Sequence, residues 1–258
     1  PVVVTNVTGG GGTIGGKEVL NADPDGYTLL FDHDESIAMS ELTGVRDFNY
    51  FDYEPVALVS STRELIATSS ENDWEDMADV IEEAKENPGK IRFGATLGTV
   101  SELTPAGIQS AKDVEFNVVG YEGTAERTHA LIGGHIDLGI VSITAGKEYL
   151  DAGELKILSV LAGERDDSLP DVQTLKEQGI DFEQVTNRGI FAPKGTPEEI
   201  VKLLSDAIGK VANSEEFTGK LNDIGSQVLY KGYDEYQTSL EDQYENIKTI
   251  LEENDMMH

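Results

Sequence analysis

The chain has 258 residues, 49 of them Asp or Glu against 19 Lys or Arg, for a formal charge of −30. A surface this acidic repels phosphate backbones and anionic membrane faces, and the basic residues stand singly with no aromatic platform beside them, so nucleic acid is excluded as a partner. The absence of cysteine excludes disulfides, iron–sulfur clusters and thiol nucleophiles together.

In chain order, Val2–Val4 reads as a strand, and a glycine tract at Gly10–Gly15 opens a short helix that Asp23-Pro24-Asp25-Gly26 stops. Further strands are expected at 27–31, 55–60, 64–68, 91–94, 115–119, 138–142, 156–161, 189–192 and 227–230. Between them lie well-marked helices. Asn72 is placed to cap one, with Glu75 completing a capping box and Trp74, Met77, Ala78, Ile81 and Ala84 as its inner stripe. Thr196 is placed to cap another, with Pro197 in the first turn and Ile200, Leu204, Ala207, Ile208 and Val211 facing inward. A last helix spans about 234–252, its inner face formed by Tyr236, Leu240, Ile247 and Leu251. This alternation predicts an α/β protein with mostly parallel sheets. With 38% hydrophobic residues the chain can build one large core or two moderate ones. No flexible tether divides it, so a domain boundary must be crossed by strands, at 56–68 and 187–193.

Gly10-Gly11-Gly12-Thr13-Ile14-Gly15 matches a dinucleotide-binding pattern, with Asp32 at the end of the next strand, and a nucleotide-dependent enzyme stays open as an alternative. Against it, polyglycine fits many such patterns by chance. The same tract fails as a phosphate loop because Glu18 follows Lys17, where a hydroxyl belongs. His129 and His135 have no metal-ligand spacing, no nucleophile elbow occurs, and carboxylate pairs are too frequent to indicate acid–base chemistry, so neither a metal nor a catalytic residue is expected. What remains are small-polar loops, each between a strand and a helix, at 32–36, 95–101, 120–124 and 142–144. In parallel α/β folds such loops lie at the carboxyl ends of the strands, where helix starts offer amides to anions. Arg63, Arg127 and Arg188 are candidates to assist, with a surface ion pair as the alternative for each.

Residues 1–30, PVVVTNVTGGGGTIGGKEVLNADPDGYTLL, resemble the tripartite tricarboxylate transporter substrate-binding proteins, the Bug receptors. The resemblance runs on in order through DYEPVALV (52–59), AKENPGKIRFG (84–94), VVGYEGTAE (118–126), LIGGHIDLGI (131–140), AGELKILSV (152–160), LPDVQTLKEQG (169–179) and FAPKGTP (191–197). It implies a type II periplasmic-binding-protein architecture, with two α/β domains joined by two crossover strands and a ligand cleft between them. Domain 1 is then 1–63 plus 188–258, and domain 2 is 64–187. The family's first strand and first glycine-rich loop have no counterpart ahead of Pro1, so the chain is expected to be part of a longer exported precursor.

The resemblance further implies an extracytoplasmic, monomeric receptor, free or lipid-anchored. It would take up a small carboxylate by hinge closure and deliver it to a transporter permease, without chemistry or cofactor. A carboxylate sensor for a two-component system uses the same cleft and stays open. Mapped by motif, the ligand-binding residues are Thr96, Gly98, Thr99 and Ser101 in one loop, Tyr121 and Gly123 in the next, and Asp137 and Ser142 around the Gly-Gly-x-x-Asp turn. In domain 1 they are Asp34 and Ser36, where the acids flanking His33 would disfavour a polyanion or favour a ligand bearing an amine. The excess of surface acid also suits solubility in high salt, or an ordinary acidic exported protein.

Overall fold

The computed structural model describes residues 2–7, 9 and 12–257. They form two compact units, one of residues 1–61, 187–249 and 256–258, the other of 62–186 and 250–255.

The first unit contains α1 (Thr13–Leu20), β1 (Leu30–His33), α2 (Asp34–Leu42), the first half of β2 (Tyr53–Ser69), most of β7 (Val185–Pro193), α7 (Glu198–Ala212), α8 (Glu215–Asp223), β8 (Gln227–Lys231) and most of α9 (Tyr233–Glu253). β1 pairs antiparallel with β7 from Leu30↔Phe191 to His33↔Arg188, and β8 pairs antiparallel with β2 from Leu58↔Lys231 to Ser61↔Gln227. Its core is aromatic. Phe48, Tyr53, Phe191 and Tyr236 follow one another at centroid distances of 6.1, 5.9 and 5.6 Å, in the tilted and edge-on geometries that ring quadrupoles favour.

The second unit holds the rest of β2, α3 (Met77–Glu86), β3 (Arg92–Ala95), α4 (Val100–Lys112), β4 (Asn117–Gly120), α5 (Thr124–Ile132), β5 (Leu138–Ser142), α6 (Ile143–Asp151) and β6 (Leu155–Val160). β5 and β6 flank β2 antiparallel, and β3 then joins β5 and β4 in parallel. Ile66, Met77, Ile81, Phe93, Ile108, Leu138 and Leu158 fill the core on one side of this sheet, while Leu65, Leu131, Ile136, Val141 and Val160 fill the other. Among the described residues no helix is long and apolar enough to cross a membrane.

Several expectations are corrected. The sheets are mixed rather than mostly parallel, because the long β2 runs against β5, β6 and β8, while β3 pairs in parallel with β4 and β5. The two strands expected at 55–60 and 64–68 are one continuous strand, and the 27–31 strand is displaced to 30–33, leaving Tyr27 exposed. Val2–Val4 is exposed irregular chain, since a valine run without a neighbouring strand has nothing to bond its amides. The strand that should precede the glycine tract is therefore absent among the described residues. Gly10 and Gly11 of that tract lie outside them, Gly12 stands at the start of an eight-residue helix, and Gly15 lies within its first turn.

Asp76, not Asn72, caps α3, its carboxylate accepting from the amides of Ala78 and Asp79 at 2.8 and 3.2 Å. Ala78 is exposed and Val80 takes its inner place. Pro197, not Thr196, stands at the start of α7, since the Thr196 hydroxyl donates back to the Pro193 carbonyl at 2.8 Å. The buried stripe of α7 is Val201, Ser205, Gly209 and Ala212; of the expected face Leu204 and Ile208 are half-buried against the core, while Ala207 and Val211 are exposed.

Candidate functional site

The parallel strands β3, β4 and β5 end on the same edge of the second unit, and each is followed by a helix, through a short loop after β3 and β4 and directly after β5. After β3 the chain turns tightly. Gly98 takes a φ of +71°, the left-handed region where a side chain is strained, and Thr99 leads into α4. The loop is knitted by its own hydroxyls. Ser101 Oγ accepts from the Thr96 amide at 2.8 Å and lies 3.1 Å from Thr99 Oγ1, which itself donates to the Thr96 carbonyl at 2.7 Å. The Gly98 amide donates to the Glu102 carboxylate at 2.7 Å. The Thr99 amide donates to the Thr96 carbonyl at 3.3 Å and the Glu102 amide to the Thr99 carbonyl at 2.9 Å, so the amides of Thr96, Gly98, Thr99 and Glu102 are engaged within the loop and the first turn of α4.

The neighbouring loop after β4 is tied to the first by the Tyr121 amide, which donates to the Ala95 carbonyl at 2.8 Å. Gly123 caps α5 in open space, with no atom within 4 Å of where a Cβ would be. Thr96, Leu97, Gly120, Tyr121, Glu122 and Glu126 line a cavity of about 480 Å³ between the two loops. Ser142 stands at the end of β5 and caps α6, accepting from the Ala145 amide at 3.3 Å.

Arg127 lies under this edge on α5, only 3% exposed. Its Nη atoms are 3.4 Å from Thr96 Oγ1, 3.5 Å from Thr124 Oγ1 and 3.2 Å from the Ile140 carbonyl, while its Nε is buried with no partner. Burial lowers its pKa, partly offset by the charge of Glu64. The alternative of a surface ion pair is thereby corrected for this residue. Arginine appears here at a helical position three and four residues before the buried Ala130 and Leu131, a spacing that marks the inward face and was the available signal.

The structure thus brings Thr96, Gly98, Thr99, Ser101, Tyr121, Gly123 and Ser142 to one edge of the second unit. Asp137 is not with them. It precedes β5, at the opposite end of the parallel strands, and its carboxylate accepts from the Arg92 amide and Nε at 2.7 and 2.9 Å. A Gly-Gly-x-x-Asp turn that enters a parallel strand lies at its amino end, which is why Asp137 stands apart from the other expected site residues.

In the first unit, Asp34 and Ser36 are the first and third residues of α2, and both are buried. Asp34 is 1% exposed. Its carboxylate accepts from the Tyr236 hydroxyl at 3.1 Å, from Gln243 Nε2 at 3.2 Å and from the Glu35 amide at 2.8 Å. Expected as a ligand-binding residue in a loop, Asp34 is the first residue of α2 and a buried tie between α2 and α9. Glu35, not singled out in the sequence, is 5% exposed and accepts from the Asn187 amide and from Gln243 Nε2 at 3.1 Å. Burial first, then the Asp34 charge and hydrogen bond, push its pKa well above the usual carboxyl value. Gln243 Oε1 and Asn187 Oδ1 are buried without donors, so a proton on Glu35 relieves a cluster rich in acceptors.

A raised native pKa means that the folded chain binds the proton more tightly than the unfolded chain does. Stability from this group is therefore complete below about pH 4.5 and falls as pH rises through the raised value. Glu35→Gln, which keeps an acceptor and supplies two donors, is expected to stabilise the protein by about 1 kcal/mol at pH 7 and to leave it unchanged near pH 4. Urea melts of both proteins at the two pH values check this; equal stability at both would contradict it.

Two α/β units, one of them presenting helix-start loops around a cavity, are the construction of a solute-binding receptor. Residues 1–256 match the Tripartite tricarboxylate transporter family receptor, and the chain belongs to that family. A UPF0065 protein in the tcbD-tcbE intergenic region of Pseudomonas sp. strain P51 is 31% identical over 237 residues, covering 87% of this chain and 68% of the relative. Among solved structures, Rpa4515 of R. palustris with adipate superposes with a TM-score of 0.86 at 26% identity, covering 97% of this chain and 85% of that one. MatC of Rhodopseudomonas palustris with bound malate gives 0.80 at 25% identity, covering 94% and 85%.

Proposed function

We propose that this chain is an extracytoplasmic receptor that captures a small dicarboxylate and hands it, unaltered, to the permease of a tripartite tricarboxylate transporter. The observation that carries the reading is the pair of adjoining loops at 96–101 and 120–123, whose hydroxyls are spent holding their shape around a cavity. Small anions are held by such helix starts through main-chain amides, which suits a chain whose own charge of −30 opposes an approaching anion. Adipate and malate in the related structures support the ligand class.

In this reading Thr96, Gly98, Thr99, Ser101, Tyr121, Gly123 and Ser142 form the second unit's share of the grip. The two units close on the ligand as β2 and β7 flex, and the closed form is what the permease recognises. One chain takes one ligand. The experiment is a calorimetric titration with adipate, malate, succinate, citrate, acetate, NAD and ATP. Saturable one-to-one binding of a dicarboxylate, with none of the nucleotides, is expected. Binding of NAD or ATP alone would overturn it in favour of an enzyme built on the glycine tract.

A further inference from the structure

A guanidinium withdrawn from water retains its charge, and burying it without a counter-charge is costly. Arg127 has been placed in this position: 3% exposed, it makes no ion pair among the described residues and leaves Nε without a partner. Its hydrogen bonds to Thr96 Oγ1 and Thr124 Oγ1, at 3.4 and 3.5 Å, are long and reach neutral oxygens only. The packing leaves it little room elsewhere. Gly94 and Gly139 lie against its stem, and a Cβ on Gly94 would stand 3.0 Å from Arg127 Cγ. Thr96 is both a wall of the 480 Å³ cavity and a partner of the guanidinium, so the charge sits directly behind the cavity.

We propose that Arg127 is the specificity-determining residue of this site: the buried cation that selects an ionised carboxylate seated on the 96–101 and 120–124 loops. This rests on the carboxylate-receptor reading and adds to it a reason for the ligand's charge. Main-chain amides donate to a carboxamide oxygen as well as to a carboxylate oxygen, though less strongly, whereas a buried guanidinium with no ion pair behind them rewards full negative charge. The receptor therefore distinguishes a dicarboxylate from its diamide, which brings no charged end to this loop pair, and the anion adds to a charge balance that Glu64 supplies only in part. Thr96 and Thr124 orient the guanidinium and relay its charge to the ligand.

The test compares the wild type with Arg127→Gln and Arg127→Lys, titrated calorimetrically with adipate, malate and adipamide at low and high salt, with melting curves on each protein. The wild type is expected to bind at least one of the two acids and to reject adipamide. Arg127→Gln is expected to lose about 100-fold in affinity for that acid while narrowing the gap to adipamide, and Arg127→Lys to recover part of the loss. Both variants should melt no lower than the wild type, because the substitutions remove or soften an unpaired buried charge. If the glutamine variant fails to fold, the lysine variant and the ¹⁵Nε–H resonance of Arg127 in the wild type decide: the resonance should move on saturation with the bound acid. Wild-type binding that Arg127→Gln leaves within threefold, or an unmoved resonance, overturns the role of Arg127 and leaves the receptor reading intact. A wild type that binds neither acid overturns both.

Discussion

Gly189→Ala is expected to lower the melting temperature by roughly 6 to 12 °C, corresponding to about 3 kcal/mol. Gly189 lies on β7 opposite Asp32 of β1, and a methyl group there would overlap the Tyr236 hydroxyl and stand 2.7 Å from its Cζ. Tyr236 has nowhere to retreat. It is fully buried, its ring packs on Phe191 at 5.6 Å, and its hydroxyl donates to the buried Asp34 carboxylate at 3.1 Å. Displacing it strains the aromatic row and removes a donor from a carboxylate that burial has cut off from water, and the two costs add. Thermal unfolding followed by circular dichroism checks this; a melting point within 1 °C of wild type would mean that β7 and α9 are not packed this tightly.

Ser101→Ala is expected to weaken dicarboxylate binding about tenfold while lowering the melting temperature only a few degrees. The hydroxyl contributes nothing to the core, yet it accepts from the Thr96 amide at 2.8 Å and braces Thr99 Oγ1 at 3.1 Å. Without it the loop must be ordered by the ligand, and an unmade hydrogen bond of this kind costs about 1 to 2 kcal/mol, which is taken from the binding free energy. Calorimetry on the variant distinguishes this loop-positioning role from a purely structural one, since the latter would shift stability and affinity together.

The most legible parts of the sequence were those where one physical demand dominates. Residues 138–142 form a run that is apolar and buried through Val141 and flanked by strands on both sides, and they were read without error as β5. The stripe of Tyr236, Leu240, Ile247 and Leu251 on α9 follows helical spacing and is buried throughout. Errors arose where a partner far along the chain decides the outcome. Nothing within Val2–Val4 says that no strand will lie beside it. Nothing within 56–68 says that two apolar runs will join into one 17-residue strand, because Arg63 and Glu64 between them find partners and a register only in the fold.

The same division holds at the site. The loop at 96–101 was legible because its hydroxyls and glycine serve local turns, three to five residues apart. Asp34 and Glu35 look like surface acids in sequence, and only α9, about 200 residues later, buries them with Tyr236 and Gln243. Arg127 likewise looks like one more charge on an acidic chain until Ile140 and Thr96 close over it.

The central claim is that main-chain amides at the ends of β3 and β4 hold a small carboxylate. Amide hydrogen exchange of the full chain, with and without saturating adipate or malate, tests it most directly. The account predicts slowed exchange concentrated at 96–102 and 120–125; unchanged exchange there, with protection confined to the glycine tract at 10–15 or to no segment at all, would contradict it.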